Sequence, residues 1–339
     1  MSRRRILIIR PDRIGDVILT TPLIREVKRT FPDSHLGVMV GPSSEPLLRH
    51  NPHVDSIIVD DPSGADAGWP GFWRQVGRLR SERYTVGLMP LPRERHAWMM
   101  FWAGIGTRIG VGGKLYQLLT GTKSVSRRKY IPLRHEADYV MDLGRRIGVV
   151  TKNLHPELFL TDAERAEARR WLEERGIDLS KPLIGLNPVS KNSAPNWPIT
   201  RYRELAERLA ARYQLYINTG MPGGTEAASL EGINGTVLLD APPLRRLLAV
   251  TSCFSLLITP STGTLHIAAA LDVPTVALFC PLTACSPALW GPLGRNADVI
   301  LPVPSYCQNE CPGDPKVCPL DGTSLETVLS SVDRSLARG

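Results

Sequence analysis

Two long stretches of this chain carry no Asp, Glu, Lys or Arg: residues 247–271 and 273–294. Runs of that length end up either in a bilayer or in a buried core. Pro260, Gly263, His266 and several Ser and Thr interrupt the first run, and Pro274, Pro281, Pro287 and Pro292 interrupt the second. Lipid offers no partners for backbone groups freed at such positions, so buried α/β core fits both runs better.

Within the first run, LLITPSTGTLHIAAAL (residues 256–271) reads as strand, tight turn and helix. Ser261 or Thr262 can cap that helix, because a hydroxyl accepts from the orphan N–H groups of a first turn. Gly263 lets a backbone approach a ligand closely. The N–H groups at a helix start, with the positive end of its dipole, suit a phosphate. His266, within the first turn or so of the helix, is near enough to face the same anion. The turn is therefore expected to grip the diphosphate of an activated sugar. Strand–turn–helix junctions that bind nothing are common in α/β proteins, so support has to come from elsewhere in the chain.

The rest of the chain repeats the same alternation. ILII near the N-terminus reads as a buried strand that runs into PDRIGD and then a helix over residues 17–30. Strands follow near 36–40, 54–59 and 84–89, with helices near 72–82, 96–105 and 136–148. A basic loop spans 121–129. On the 96–105 helix, Trp98, Phe101, Trp102 and Ile105 share one face, which reads as core, with a membrane contact as the alternative. The pattern weakens around 149–160, which reads as a linker. Beyond it come a strong helix over 161–176, strands near 183–186, 214–218, 238–239, 256–258 and 273–279, and a last helix near 324–337. The expected organisation is a domain of residues 1–155, a second of 156–322, and a C-terminal segment, 323–339, packing back on the first. Both domains are expected to be doubly wound parallel sheets, with a ligand cleft between them.

Charge is divided unevenly. Residues 1–150 hold 24 Lys and Arg against 14 Asp and Glu, whereas the remainder holds 17 against 19. The surplus of the first half suits an anionic acceptor or an anionic membrane surface; no recognised nucleic-acid motif accompanies it. The apolar run at residues 6–9 is too short for a signal peptide, so a cytoplasmic protein is expected, with peripheral contact at the inner membrane. Six cysteines are then reduced thiols. Cys307, Cys311 and Cys318 are spaced C-x3-C-x6-C, which matches no strong zinc template, and a fourth ligand is missing.

Asp16 follows Gly15 on the first strand–helix turn. There it either caps its helix or takes the proton from an acceptor hydroxyl that attacks a sugar carbon.

Several motifs together decide between these readings. RIGDVILTTPLIREVKRTFPDS (13–34), HEADYVMDLGRRIG (135–148), NP at 187, NWP at 196–198, STGTLHIAAALDVPTVALF (261–279) and WGPLG (290–294) occur in one order across nearly the whole chain. In that order they resemble the family 9 glycosyltransferases, the heptosyltransferases of lipopolysaccharide core assembly. The resemblance implies an α/β GT-B fold of two Rossmann-like domains facing a central cleft. It also implies metal-independent transfer, without a cofactor, from a nucleotide-sugar donor, by default ADP-heptose, with inversion at the anomeric carbon. It makes Asp16 the general base. Thr262, Gly263, Thr264 and His266 fall to the donor phosphates, with Ser261 beside them, and Glu226 to the donor ribose. The acceptor is an anionic glycolipid or glycan, with Arg13, Lys123, Arg127 and Arg128 as candidate contacts. Two positions depart from the family pattern. Ser261 stands where an acid usually precedes Thr-Gly, and Pro195 where a Lys usually precedes Trp-Pro; Lys191, in the same loop, is the candidate stand-in. The alternative functions are a nucleotide-sugar epimerase of the same architecture and a non-catalytic nucleotide-sugar-binding protein.

Overall fold

The computed structural model describes residues 4–127, 130–190, 194–220 and 228–338. The chain divides into two compact units, Met1–Phe159 and Leu160–Gly339.

The first unit is a six-stranded parallel sheet. Its strands are β1 (Arg5–Ile9), β2 (His35–Val40), β3 (Ser56–Val59), β4 (Val86–Met89), β5 (Thr107–Val111) and β6 (Lys123–Val125), in the order β3-β2-β1-β4-β5-β6. Ile6 to Ile9 are completely buried, as a central parallel strand covered on both faces requires. Helices α1 (Ile14–Ile18), α2 (Thr21–Thr30), α3 (Gly68–Ser81), α4 (Glu94–Trp102), α5 (Leu115–Leu119) and α6 (Glu136–Arg145) connect or flank the strands.

The second unit uses the same order. Strands β7 (Leu183–Leu186), β8 (Gln214–Asn218), β9 (Val237–Asp240), β10 (Leu256–Pro260), β11 (Thr275–Leu278) and β12 (Ala297–Ile300) form the sheet β12-β11-β10-β7-β8-β9. All its neighbouring strands are parallel. Both sheets therefore reverse winding once, between β1 and β4 and between β7 and β10. Ligands of such folds bind outside the carboxyl ends of the strands at these reversals. Helix α7 (Asp162–Glu173) starts with a capping box between Thr161 and Glu164, and Glu164 is further held by Arg245.

Four local expectations change. The helix read over 17–30 is broken at Leu19 and Thr20, because Pro22 lacks the N–H that a continuous helix would need there. The aromatic face read over 96–105 is core only in part: Ile105 is buried and Trp98 packs half-buried against the core, but Phe101 and Trp102 are exposed, while Ala97, Met99 and Met100 turn inward. Gly87 on β4 is what admits Met100, whose Sδ would lie 2.4 Å from a Cβ there. Helical periodicity identifies a face without saying which way it points. The basic loop 121–129 contains the edge strand β6, paired with β5. Strand β12, short and carrying Asp298, was not expected. The C-terminal helix, Leu325–Leu336, packs on β10, β11, β12 and α8 (Ile199–Ala210) of the second unit. Its apolar face of Leu325, Val328 and Val332 is buried in that second core. Among the described residues no helix is long and apolar enough to cross a membrane.

Candidate functional site

In the first unit, the turn after β1 gathers charge at the sheet's winding reversal. Arg10 leaves the strand end with its side chain almost wholly buried. It forms ion pairs with Asp12 at 2.9 Å, with Asp16, and with Glu136 of α6 at 3.3 Å. Burial alone would lower the pKa of the guanidinium, but Asp12, Asp16 and Glu136 outweigh it, so Arg10 is held charged beyond its ordinary value. Glu136 receives a second, bidentate cation: Arg127 donates to it at 2.9 and 3.0 Å.

Asp16 is the third residue of α1, whose N-cap is Arg13, so it does not cap that helix. Its carboxylate is instead oriented by Arg10. Asp12 responds in the opposite sense. Burial raises its carboxyl to about 6, against the pull of Arg10 and with a further push from Asp16. A buried cation thus serves three carboxylates, one of which burial pushes up to about 6.

Arg13 and Lys123, expected to meet the acceptor, are both exposed. Arg127 is committed to Glu136, and its guanidinium also lies 5.6 Å from the ring centre of Tyr139. Arg128 lies outside the described residues.

In the second unit, β10 ends at Pro260 and the helix Gly263–Ala270 begins at once, with Thr262 as N-cap residue. The hydroxyl expected to cap that helix makes no capping bond. Thr262 Oγ1 instead lies 2.8 Å from Thr264 Oγ1 and 3.3 Å from Thr259 Oγ1, and Thr259 and Thr264 are 3.0 Å apart. Beneath this trio, Asn187 at the end of β7 donates to Thr259 Oγ1 at 3.2 Å and to Thr262 Oγ1 at 3.4 Å. Asn218 at the end of β8 donates to Asn187 Oδ1 at 2.8 Å and accepts from Gly220 N–H. Asparagines and threonines from three adjacent strand ends are thus linked into one polar network at the β7–β10 reversal. A buried polar network whose members are all partnered is rigid, and leaving one member unpaired is costly. Ser261 is half-exposed beside the network and His266 is buried. Lys191 and Glu226 lie outside the described residues.

Arg10, Asp12, Glu136, Thr259 and Asn218 were not among the expected site residues. Arg10 immediately precedes the PDRIGD turn, Asp12 is its second residue and Glu136 sits in the HEADYV motif, so the signal was present in or beside quoted motifs. Asn218 could be found only from the strand order, which sets β8 beside β7. The six cysteines are free thiols, with Cys311 and Cys318 Sγ 3.9 Å apart. Among the described residues no group of three or more His, Cys, Asp or Glu side chains is placed to hold a metal ion.

Known proteins are similar to this chain in sequence and in fold. Residues 72–315 match the family described as Glycosyltransferase family 9 (heptosyltransferase). Lipopolysaccharide heptosyltransferase 2 of Salmonella typhimurium is 28% identical over 315 residues, covering 89% of each chain. The crystal structure of a glycosyl transferase family 9 protein from Veillonella parvula superposes with a TM-score of 0.85 at 22% identity, over 100% of this chain and 99% of that one. E. coli ADP-heptose lps heptosyltransferase II superposes with a TM-score of 0.80 at 21% identity, over 98% and 99%.

Proposed function

The chain belongs to glycosyltransferase family 9, the heptosyltransferases, and we propose that it moves a heptose from ADP-heptose to a hydroxyl of a lipopolysaccharide-core acceptor. The observation that carries the catalytic half is that Asp16 does not cap its helix but is oriented by a buried arginine. A carboxylate held in that way is free to accept the proton of the attacking hydroxyl.

In this reading the donor diphosphate sits at the start of the helix Gly263–Ala270, over the Thr259–Thr262–Thr264 network. Backbone N–H groups and hydroxyls there meet the charge that grows on the departing ADP, and the step is written without a metal. Ser261 and Lys191 flank the phosphates and Glu226 takes the ribose. The acceptor oxygen loses its proton to Asp16 and attacks the anomeric carbon. The bond from that carbon to the diphosphate oxygen breaks on the opposite side, and the configuration inverts. Arg13, Lys123 and Arg128 attract the anionic acceptor. Arg127 acts at one remove, by orienting Glu136 against Arg10. The enzyme works in the cytoplasm, peripheral to the inner membrane that carries the acceptor.

Incubation with ADP-heptose and an extracted, heptose-deficient core glycolipid tests the reading. Transfer requires ADP released in step with heptose incorporated. Donor converted without acceptor would favour the epimerase, and donor bound but never consumed would favour the binding protein.

A further inference from the structure

We propose that the outer face of α3, α4 and α5 is a docking surface for an anionic lipid bilayer. Trp69 and Trp73 stand out from α3 at 73% and 48% exposure, Trp102 from α4 at 48%, and Leu115 and Leu118 from α5 at 72% and 78%. α4 packs against both α3 and α5, so these exposed side chains stand on neighbouring helices. Its rings touch in sequence across two helices: Trp69 to Phe72 at 5.8 Å, Phe72 to Trp73 at 5.2 Å, Trp73 to Trp102 at 5.7 Å, and Trp102 to Phe101 at 5.2 Å between centroids. A recess of about 580 Å³ opens among Trp69, Phe72, Trp98 and Trp102. Four of the chain's seven tryptophans lie here.

Helix α5 is the sharpest sign of a non-aqueous neighbour. Its polar residue, Gln117, is buried and donates to Val111 O at 2.9 Å, while Leu115, Leu118 and Leu119 face outward. That is amphipathicity turned inside out for water. It is the sense expected of a helix lying in a lipid interface.

The rim selects the lipid. Arg93 and Lys114, the N-cap residues of α4 and α5, are exposed, and Arg108 holds its guanidinium 5.6 Å from the Phe101 ring centre. Glu94 is the acid lining the recess. Indole rings with a basic rim are the chemistry of an interfacial belt on anionic headgroups. The same half of the chain carries the whole positive surplus. The inference rests on the proposed function only in its purpose, which is to bring the enzyme to a lipid-borne acceptor.

The test is sedimentation of the full-length protein with vesicles, without donor or acceptor. Vesicles of phosphatidylethanolamine and phosphatidylglycerol should pellet the protein, blue-shift its tryptophan emission and, with brominated acyl chains, quench it. Neutral phosphatidylcholine vesicles should bind at least roughly tenfold more weakly. The double variant Trp102→Ser, Leu118→Ser should lose at least roughly tenfold in vesicle affinity while keeping its elution volume, its thermal shift with ADP and its activity on a water-soluble core acceptor. Equal binding to both vesicle types, or undiminished binding of the variant, overturns the proposal. So does a wild-type dimer that the variant splits, which would assign the face to a second copy. Because no sugar enters the assay, its failure leaves the transferase reading untouched, and failure of transfer leaves docking measurable.

Discussion

Arg10 donates to Asp16 from a position that is itself closed to water. The carboxylate is reached from solvent while its partner is not, so the orientation of Asp16 is set from the protein side. A surface ion pair would fluctuate and be screened; this one has a buried anchor shared with Asp12 and Glu136.

Replacing Asp16 with Ala is therefore expected to lower turnover by about 10²–10⁴-fold, the usual contribution of a positioned base. Affinity for ADP, measured by calorimetry, should stay within error, because the donor network lies on another sheet. Near-normal turnover in a folded variant would reject the assignment.

Arg10→Met should be far more damaging to the fold than its single charge suggests. It leaves Asp12, Asp16 and Glu136 without their shared buried cation, a loss of about 3–5 kcal/mol for one broken buried pair. Arg10→Lys keeps the charge but not the planar fork, so it should fold better and still turn over slowly. Urea unfolding set beside kcat separates the two effects.

Thr262→Val keeps shape and removes the hydroxyl that joins Thr259, Thr264 and Asn187. Loss of one such bond is worth about 1 kcal/mol, so the Kd for ADP should rise roughly fivefold or more, with little change in acceptor KM. An unchanged Kd would move the diphosphate away from this turn.

Asp12 predicts a pH signature. Its carboxyl titrates at about 6 in the native protein because burial disfavours the anion. In the unfolded chain it titrates near about 4. Between those values the native state binds a proton that the unfolded state lacks, so this group's contribution to stability falls as pH rises from about 4 to about 6, then levels off. The melting temperature of Asp12→Asn, relative to wild type, should climb across that window. A constant difference would mean that Asp12 is already ionised throughout.

The second sheet's central turn was legible because strand, small polar turn and helix are local events with local residue requirements. The outward aromatic face of α4 was not. Trp98, Phe101 and Trp102 have the spacing of a core stripe, but the side of α4 that turns inward is that of Ala97, Met99 and Met100, the last packed on Gly87. The break at Leu19 was visible in Pro22 and was overrun by the apolar periodicity around it.

By itself, the sequence determined what short-range chemistry can specify: the alternation of strands and helices, the two turns that carry Asp16 and Thr262, and the ordered motifs of the family. Only the tertiary structure decided the partners of those residues. Arg10 and Glu136 are 126 positions apart, and Asn187 and Thr259 are 72 apart. They meet because strand order brings distant segments together at the carboxyl ends of adjacent central strands. The spacing of residues along a chain contains no record of that order.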